Sequence, residues 1–336
     1  MMSIEVLHAG FFTTIQDNGR FGLQKYGIVV GGAMDSLALR LGNILVGNSE
    51  EEAVIEVTLF GTKLRFKQDL IIAITGANLQ ATINGHHISM WRPFYVKKGD
   101  ILKFNTVLSG YRAYIAVAGG FNISPIMGSK STYTEAKIGG YKGRALKKGD
   151  NLPCNGLPPR ESKWLHSLKT KPKASSWFIN AAYFYASSLE NKIRFILGSE
   201  YEHFDKISQE RLVTNPYKIT PHSNRMGYRL AGPELLLKDN FDLLSEGVTF
   251  GTIQVPSNGQ PIILMADRQT TGGYPKIGQV ISVDLPRLAQ LKPGDGICFS
   301  PITIKEAEEL LIKREEALRR LKTIIHFIKE DSRSFH

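Results

Sequence analysis

The densest chemistry in this chain lies between Pro261 and Pro275. The apolar run Ile262-Ile263-Leu264-Met265-Ala266, bounded by turn residues, predicts a buried strand. It empties into Asp267-Arg268-Gln269-Thr270-Thr271-Gly272-Gly273-Tyr274-Pro275. A carboxylate, a guanidinium, an amide and two hydroxyls in succession can recognise a polar ligand, and the paired glycines allow close backbone approach and positive φ. A tight strand connection with its side chains in water would use the same residues. In Ser223-Asn224-Arg225-Met226-Gly227-Tyr228-Arg229, two arginines four apart flank a glycine. Guanidinium forks suit a carboxylate or a phosphate, and solvated arginines on a strand edge fit the pattern too. Near the N-terminus, Thr13-Thr14-Ile15-Gln16-Asp17-Asn18-Gly19-Arg20 brings together an amide, a carboxylate and a guanidinium, with an Asp17–Arg20 ion pair closing a turn as the plainer use. Gly31-Gly32-Ala33-Met34-Asp35 would offer backbone donors to an anion at a helix start, or form a turn plus N-cap.

Strands must position most of these groups. Short apolar runs separated by glycine, asparagine and aspartate turns predict strands at 70–75, 94–96, 101–104, 111–118 and 193–197. Helix signals are few. Leu37, Leu41, Ile44 and Leu45 fall at helical spacing in 35–46, with Asp35 or Ser36 as N-cap and Gly47-Asn48 as stop. A second helix is expected over 305–328, where Leu311, Leu318, Leu321, Ile325 and Ile328 form one stripe that suits packing on its own barrel or a partner helix. Lys-Lys-Gly-Asp at 97–100 and 147–150, and Lys-Pro-Gly-Asp at 292–295, each predict a Gly-Asp turn launching a strand. Two related barrel-like halves would explain this repetition, as would the commonness of such turns. The expected division is a first barrel-like half over 1–155, a linker-like region over 156–190, a second barrel over 191–304 and an amphipathic helix over 305–330.

Composition narrows the function. Lysine and arginine exceed the acids by 42 to 31, a net +11, which suits an anionic substrate or an acidic partner. The excess gathers at 163–173 and 313–322 without the interleaved glycine and aromatic residues of a base-stacking surface, so nucleic acid is not the expected partner. Cys154 and Cys298 lack metal-ligand spacing and predict two buried thiols in a reducing cytosol. The opening residues have no signal-peptide pattern and no run reaches membrane-span length, so a cytoplasmic location is expected. There is no Walker-type phosphate loop, no Gly-x-Ser-x-Gly elbow and no His-Glu-x-x-His helix. His86-His87 after Asn84-Gly85 predicts a hairpin turn, not a metal site.

A series of motifs carries a family resemblance: Thr14-Ile15-Gln16-Asp17-Asn18-Gly19-Arg20, Gly32-Ala33-Met34-Asp35, Ala73-Ile74-Thr75-Gly76-Ala77, Tyr111-Arg112-Ala113-Tyr114, Gly128-Ser129-Lys130-Ser131-Thr132, Arg225-Met226-Gly227-Tyr228-Arg229, Gly251-Thr252-Ile253-Gln254-Val255-Pro256 and Gln269-Thr270-Thr271-Gly272-Gly273-Tyr274-Pro275. In their order the chain resembles the allophanate hydrolase subunit 2, or biotin-dependent carboxyltransferase, family, whose stand-alone bacterial members are KipA-type 5-oxoprolinase C subunits. The resemblance implies a mostly β fold of two cyclophilin-like β-barrel domains with a C-terminal α-helix. It implies a KipI-type B subunit and an A subunit as partners, and opening of 5-oxoproline to glutamate driven by ATP with magnesium in the whole complex. Fused relatives carry a carboxyl group from carboxybiotin to urea. This chain has no Ala-Met-Lys-Met biotin attachment motif and no ATP-grasp features, so it could act on carboxybiotin only if other polypeptides supplied both. A third implied role is regulatory, sequestering a KipI-type inhibitor of a histidine kinase. Carried onto matching positions, the resemblance makes Arg20, Arg112, Arg225 and Arg229 anion clamps. It makes Asp17, Asp35 and Asp267 base or orienting carboxylates, and Gln254, Gln269, Thr270 and Thr271, with Gly272, Gly273 and Tyr274, the lactam- or urea-binding set. A polar network tying strand ends together would use the same residue types.

Overall fold

The computed structural model describes residues 3–156, 168, 174–185, 192–239 and 243–331. Most of the linker-like 156–190 region, and the basic cluster at 163–173, lie outside the described residues. The chain is mostly β, with several sheets, one closed seven-stranded barrel and a long C-terminal helix. Its two compact units interleave in sequence: the first comprises Met1–Gly19, Asp35–Ala181 and Glu316–His336, the second Arg20–Met34 and Ala182–Glu315.

In the first unit the strands are β1 (Ser3–Ala9), β2 (Phe12–Gln16), β3 (Val54–Thr58), β4 (Thr62–Phe66), β5 (Leu70–Asn78), β6 (Thr82–Ile83), β7 (His86–His87), β8 (Pro93–Val96), β9 (Ile101–Lys103), β10 (Ser109–Val117) and β11 (Asn151–Pro153). They form two sheets, ordered β11-β1-β4-β9-β6-β7 and β2-β3-β10-β5-β8. Both contribute to one core, in which Ile4, Leu64 and Leu102 from the first sheet join Ile15, Ile55, Ile74 and Ile115 from the second. The strand alternation predicts this, because period-two side chains line one face. Helix α1 (Ser36–Val46) starts where Asp35 accepts from the Ala38 N–H at 2.8 Å and stops at Gly47, whose φ of 85° is left-handed. Both caps match the sequence expectation.

The second unit is built from β12 (Lys192–Leu197), β13 (Tyr217–Ile219), β14 (Gly227–Ala231), β15 (Glu246–Gly247), β16 (Thr252–Gln254), β17 (Ile262–Leu264), β18 (Thr271–Gly272), β19 (Lys276–Val280) and β20 (Gly296–Pro301). Seven strands close in the order β12-β19-β16-β17-β14-β13-β20, the parallel β20–β12 pair completing the circuit. Ile193, Phe195, Tyr217, Tyr228, Ile253, Ile263 and Phe299 fill the interior, and the Phe195 and Phe299 rings meet edge to face at 5.7 Å. The remaining strands, β15 and β18, form a separate two-stranded ribbon.

Three helical features extend the sequence reading. The short helices α2 (Lys206–Thr214) and α3 (Leu285–Ala289) carry no apolar periodicity long enough to announce them. The nine-residue α2 instead begins on a cap, with Asp205 accepting from the Ser208 N–H at 2.6 Å. The final helix, α4 (Ile304–Asp331), buries Leu318 and Ile325 of the expected stripe. The three Gly-Asp turns share one bonding pattern. In each, the aspartate N–H donates to the carbonyl of the lysine three residues earlier, and the aspartate carboxylate accepts from that lysine's N–H. The glycines carry φ of 92°, 90° and 95°, a conformation that costs other residues and that glycine adopts freely.

Candidate functional site

Antiparallel register decides which polar side chains meet on the barrel. Arg229 of β14 is paired with Ile262 of β17, and Ile262 with Gln254 of β16, so the three lie in one row across adjacent strands. The row formed by Tyr228, Ile263 and Ile253 points into the barrel core. Alternation therefore turns Arg229, Ile262 and Gln254 to the outer face. There they line a pocket of about 310 Å³ with Gly227, Leu264, Asn224, Met226, Gln269 and Tyr274. Ile262 and Leu264 make an apolar floor, and the polar groups stand around it.

Gln254 is the fixed point. It is 2% exposed, and its Nε2 donates to the Tyr274 carbonyl at 3.2 Å. Gly272 lets the amide sit there, since a Cβ on Gly272 would lie 2.6 Å from Gln254 Nε2. The expected close approach of the glycine pair is thus used at Gly272, which lies in β18, but neither Gly272 nor Gly273 takes positive φ. Arg229 is the open counterpart of that fixed amide. Its backbone N–H donates to Ser223 Oγ at 3.0 Å, while its exposed guanidinium has no hydrogen-bond or ion-pair partner among the described residues. A guanidinium fork with no partner among the described residues, beside a buried amide, has the chemistry to accept a carboxylate.

The loop from Asp267 to Tyr274 is held at both ends. Asp267 and Arg225, respectively 4% and 9% exposed, form a bidentate pair, Nε to Oδ2 at 2.8 Å and Nη2 to Oδ1 at 3.0 Å. Arg225 Nη2 also donates to the Gly32 carbonyl at 2.5 Å. The backbone joins in, with the Asp267 N–H on the Arg225 carbonyl at 2.8 Å. These contacts commit the Arg225 guanidinium and the Asp267 carboxylate to each other. At the other end β18 pairs with β15, and Lys276 Nζ reaches Glu246. The Thr270 carbonyl accepts from the Val248 N–H at 3.1 Å. The Thr270 and Thr271 hydroxyls have no partner among the described residues, and Thr271, Gly273 and Tyr274 are exposed.

The other expected site residues lie in polar networks of their own. Asp17 accepts from Ser129 Oγ at 2.7 Å, Ser131 Oγ at 2.5 Å, the Lys130 N–H at 2.5 Å and the Gly19 N–H at 2.8 Å. Four donors saturate a carboxylate and suit it to tying two loops together. On the second sheet, register aligns Thr14, Glu56, Tyr114 and Thr75 across β2, β3, β10 and β5. Tyr114 Oη donates to Glu56 at 2.8 Å and accepts the Asp35 N–H at 2.8 Å, and Thr75 Oγ1 donates to the Ala38 carbonyl at 2.7 Å. This row seats the start of α1. Burial, with Glu56 and Asp35 nearby, holds the Tyr114 phenol well above its usual range. Arg112, 3% exposed, lies over the Tyr111 ring at 4.6 Å. Arg20 belongs to the second unit, is 1% exposed, and places its N–H on the Val30 carbonyl at 2.7 Å.

Sequence reasoning passed over the apolar floor, whose signal was the outward register of β17, and read Arg268 only as one of the loop's polar groups. That side chain is 8% exposed and 5.9 Å from the Phe250 ring centroid; its Nη1 donates to the Met265 carbonyl at 3.4 Å, and its Nε finds no partner among the described residues. Burial pulls its pKa down to about 10. Cys154 is buried, with its thiol pushed up to about 12, but Cys298 is only half-buried. No group of three or more potential metal ligands occurs among the described residues, and no described helix is long and apolar enough to cross a membrane.

Comparison with known proteins places these motifs. The 5-oxoprolinase C subunit of Haemophilus influenzae is 40% identical over 322 residues, covering 96% of this chain and 98% of that one. Its Escherichia coli counterpart is 40% identical over 305 residues, covering 90% and 93%. The crystal structure of the Kluyveromyces lactis urea carboxylase matches with a TM-score of 0.86 at 29% identity, over 95% of this chain but 29% of that much longer one. Residues 26–301 match the family described as carboxyltransferase domain, subdomain A and B. That match and the near-full-length 40% identities show that the chain belongs to this carboxyltransferase-domain family.

Proposed function

We propose that this protein is the C subunit of an ATP-dependent 5-oxoprolinase and that the outer-face pocket of its barrel binds the lactam acid. The observation that carries the reading is the Arg229 guanidinium, without a partner among the described residues, standing in one cross-strand row with the buried Gln254 amide, in a chain 40% identical over 96% of its length to a 5-oxoprolinase C subunit. A five-membered lactam bearing a carboxylate needs a cation at one end and amide partners at the other. Arg229 supplies the first, Gln254 and Gln269 the second, and Ile262 and Leu264 take the ring methylenes. The amides orient the lactam, and an amide donor on its oxygen favours charge developing there as the ring opens.

ATP with magnesium does not fit this pocket: one guanidinium, amides and an apolar floor line it, with no carboxylate for a metal and no second cation for a triphosphate. On this reading the nucleotide is not the occupant of this pocket, and the partners are a KipI-type B subunit and an A subunit. The finer fold assignment, two cyclophilin-like barrels, belongs to the same reading and is supported by the closed barrel of the second unit. A carboxyltransferase role on an amide or urea acceptor is the second reading, favoured by the 0.86 TM-score to a urea carboxylase. Reconstitution with the A and B subunits decides between them. Glutamate release from 5-oxoproline and ATP that requires this chain supports the first, whereas release that persists without it, or turnover that requires a biotinylated carrier protein, overturns it.

A further inference from the structure

The outer face of the six-stranded sheet carries a second, separate row. Register pairs His87 of β7 with Thr82 of β6, Thr82 with Lys103 of β9, and Lys103 with Lys63 of β4. The neighbouring positions Ile83, Leu102 and Leu64 point into the core, so His87, Thr82, Lys103 and Lys63 face outward together. Strands lie about 4.8 Å apart, so the row is roughly 14 Å long. Lys63 and Lys103 are direct cross-strand partners, an arrangement in which like charges repel. Neither ammonium has a hydrogen-bond or ion-pair partner among the described residues. A groove of about 510 Å³ lies over them. Its amides are already engaged: Asn84 Nδ2 donates to Asp100 Oδ1 at 2.7 Å, and Asn105 Nδ2 to the Gln80 carbonyl at 2.8 Å. The two lysine ammoniums are the cations that line the groove, and they have no partner among the described residues.

We propose that this face docks an extended acidic segment of a partner protein. The chemistry of the groove separates that occupant from others. No Phe, Tyr or Trp lines it, so it offers no stacking platform for nucleobases. Apart from Ile101 and Gly85 its lining residues are polar, and they are spread over four strands, unlike the enclosed apolar cavity that holds a small ligand. An extended chain laid over this face, across β7, β6, β9 and β4, spans the row in about four residues and brings its carboxylates over Lys103 and Lys63. The net charge of +11 steers an acidic partner toward the molecule at long range. The repulsion between Lys63 and Lys103 is relieved when an anion is placed between them.

The test uses the full chain and a fluorescent octaglutamate peptide, followed by anisotropy at low and at physiological salt. The expected result is salt-sensitive binding that weakens at least tenfold in Lys63→Glu/Lys103→Glu and in the gentler Lys63→Gln/Lys103→Gln. The same charge reversal at exposed Lys148 and Lys218 should leave binding within threefold of the unmodified protein. The glutamine pair guards against misfolding, since thermal melting should leave its fold intact. Equal weakening by both reversals would overturn the proposal, because net charge alone would then account for binding. Tripolyphosphate or a twelve-nucleotide DNA strand binding more tightly than octaglutamate, with loss of that binding in the Lys63/Lys103 variants, would also overturn it, by assigning the face to another anion.

Discussion

Replacing Arg229 by methionine isolates the pocket's charge from its fold. The side chain is exposed and bonds to nothing described, so its loss should change stability by no more than about 0.5 kcal/mol. A hydrogen bond to a charged group contributes about 1.5–3 kcal/mol, and an exposed arginine belongs at the lower end. At 1.36 kcal/mol per factor of ten, the lower end is roughly a tenfold rise in KM for 5-oxoproline in the reconstituted complex. If the guanidinium binds the carboxylate equally in ground and transition states, kcat stays the same. Inhibition by 2-pyrrolidinone, the lactam without the carboxylate, supplies the internal control. It should be equally weak on the unmodified complex and on the complex carrying Arg229→Met, because the partner of the arginine is missing. An unchanged KM in an intact, folded complex would refute the placement of the carboxylate at Arg229. So would an equal loss for the acid and for pyrrolidinone, which would mean that the methionine had reshaped the pocket.

Asp267→Asn leaves the Arg225 guanidinium buried without its counter-charge, which should cost about 3 kcal/mol in urea unfolding at unchanged m-value, with partial recovery in Asp267→Asn/Arg225→Met. Gly272→Ala drives a methyl against Gln254 Nε2, so 5-oxoproline turnover should fall with only a small drop in melting temperature; full activity would show that Gln254 tolerates displacement. Arg268→Met removes a buried cation whose Nε has no hydrogen-bond partner among the described residues and should raise stability by about 1 kcal/mol, checked by the melting temperature. The Arg144 fork on Asp150, at 2.7 and 2.8 Å, holds that carboxyl below its usual range, so its contribution is fully present above about pH 4. It is lost as pH falls through the lower folded-state pKa, and the stability gap between the unmodified protein and Asp150→Asn should be constant near neutrality and close in acid.

The sequence was most legible where one local rule decides the structure. The α1 caps, the three Gly-Asp turns and the Asn84-Gly85 hairpin each depend on a few adjacent residues, and each forms as its residues require: Asn84 and Gly85 carry φ of 51° and 86°, the double left-handed turn that Asn-Gly favours. Sheet closure is not such a rule. It depends on the parallel meeting of Lys192–Leu197 with Gly296–Pro301, about a hundred residues later, and no window of sequence contains both. Within the candidate site, types were legible and roles were not. Arg225 and Arg229 look alike four residues apart, yet the Asp267 carboxylate engages the first, and the second has no partner among the described residues. Only the β14–β17 pairing and the Asp267 turn that follows it separate them.

That separation is also the strongest physical reason to place binding on the outside of the barrel. The interior is filled by Phe195, Tyr217, Tyr228 and Phe299, so no ligand can enter it without displacing aromatic rings whose burial stabilises the barrel by several kcal/mol. A binding site must then use outward positions, where strand side chains ordinarily meet water and gain little from ordering. The β15–β18 ribbon changes that balance by backing Gln254 with Gly272, leaving the amide 2% exposed on a face that alternation alone would solvate. An amide held dry and in one orientation discriminates a lactam from water far better than a solvated one. The Arg225–Asp267 pair fixes where the loop begins and Lys276–Glu246 clasps the ribbon; on the proposed reading Arg225 and Asp267, which look catalytic in the sequence, are part of the frame around one amide and one arginine.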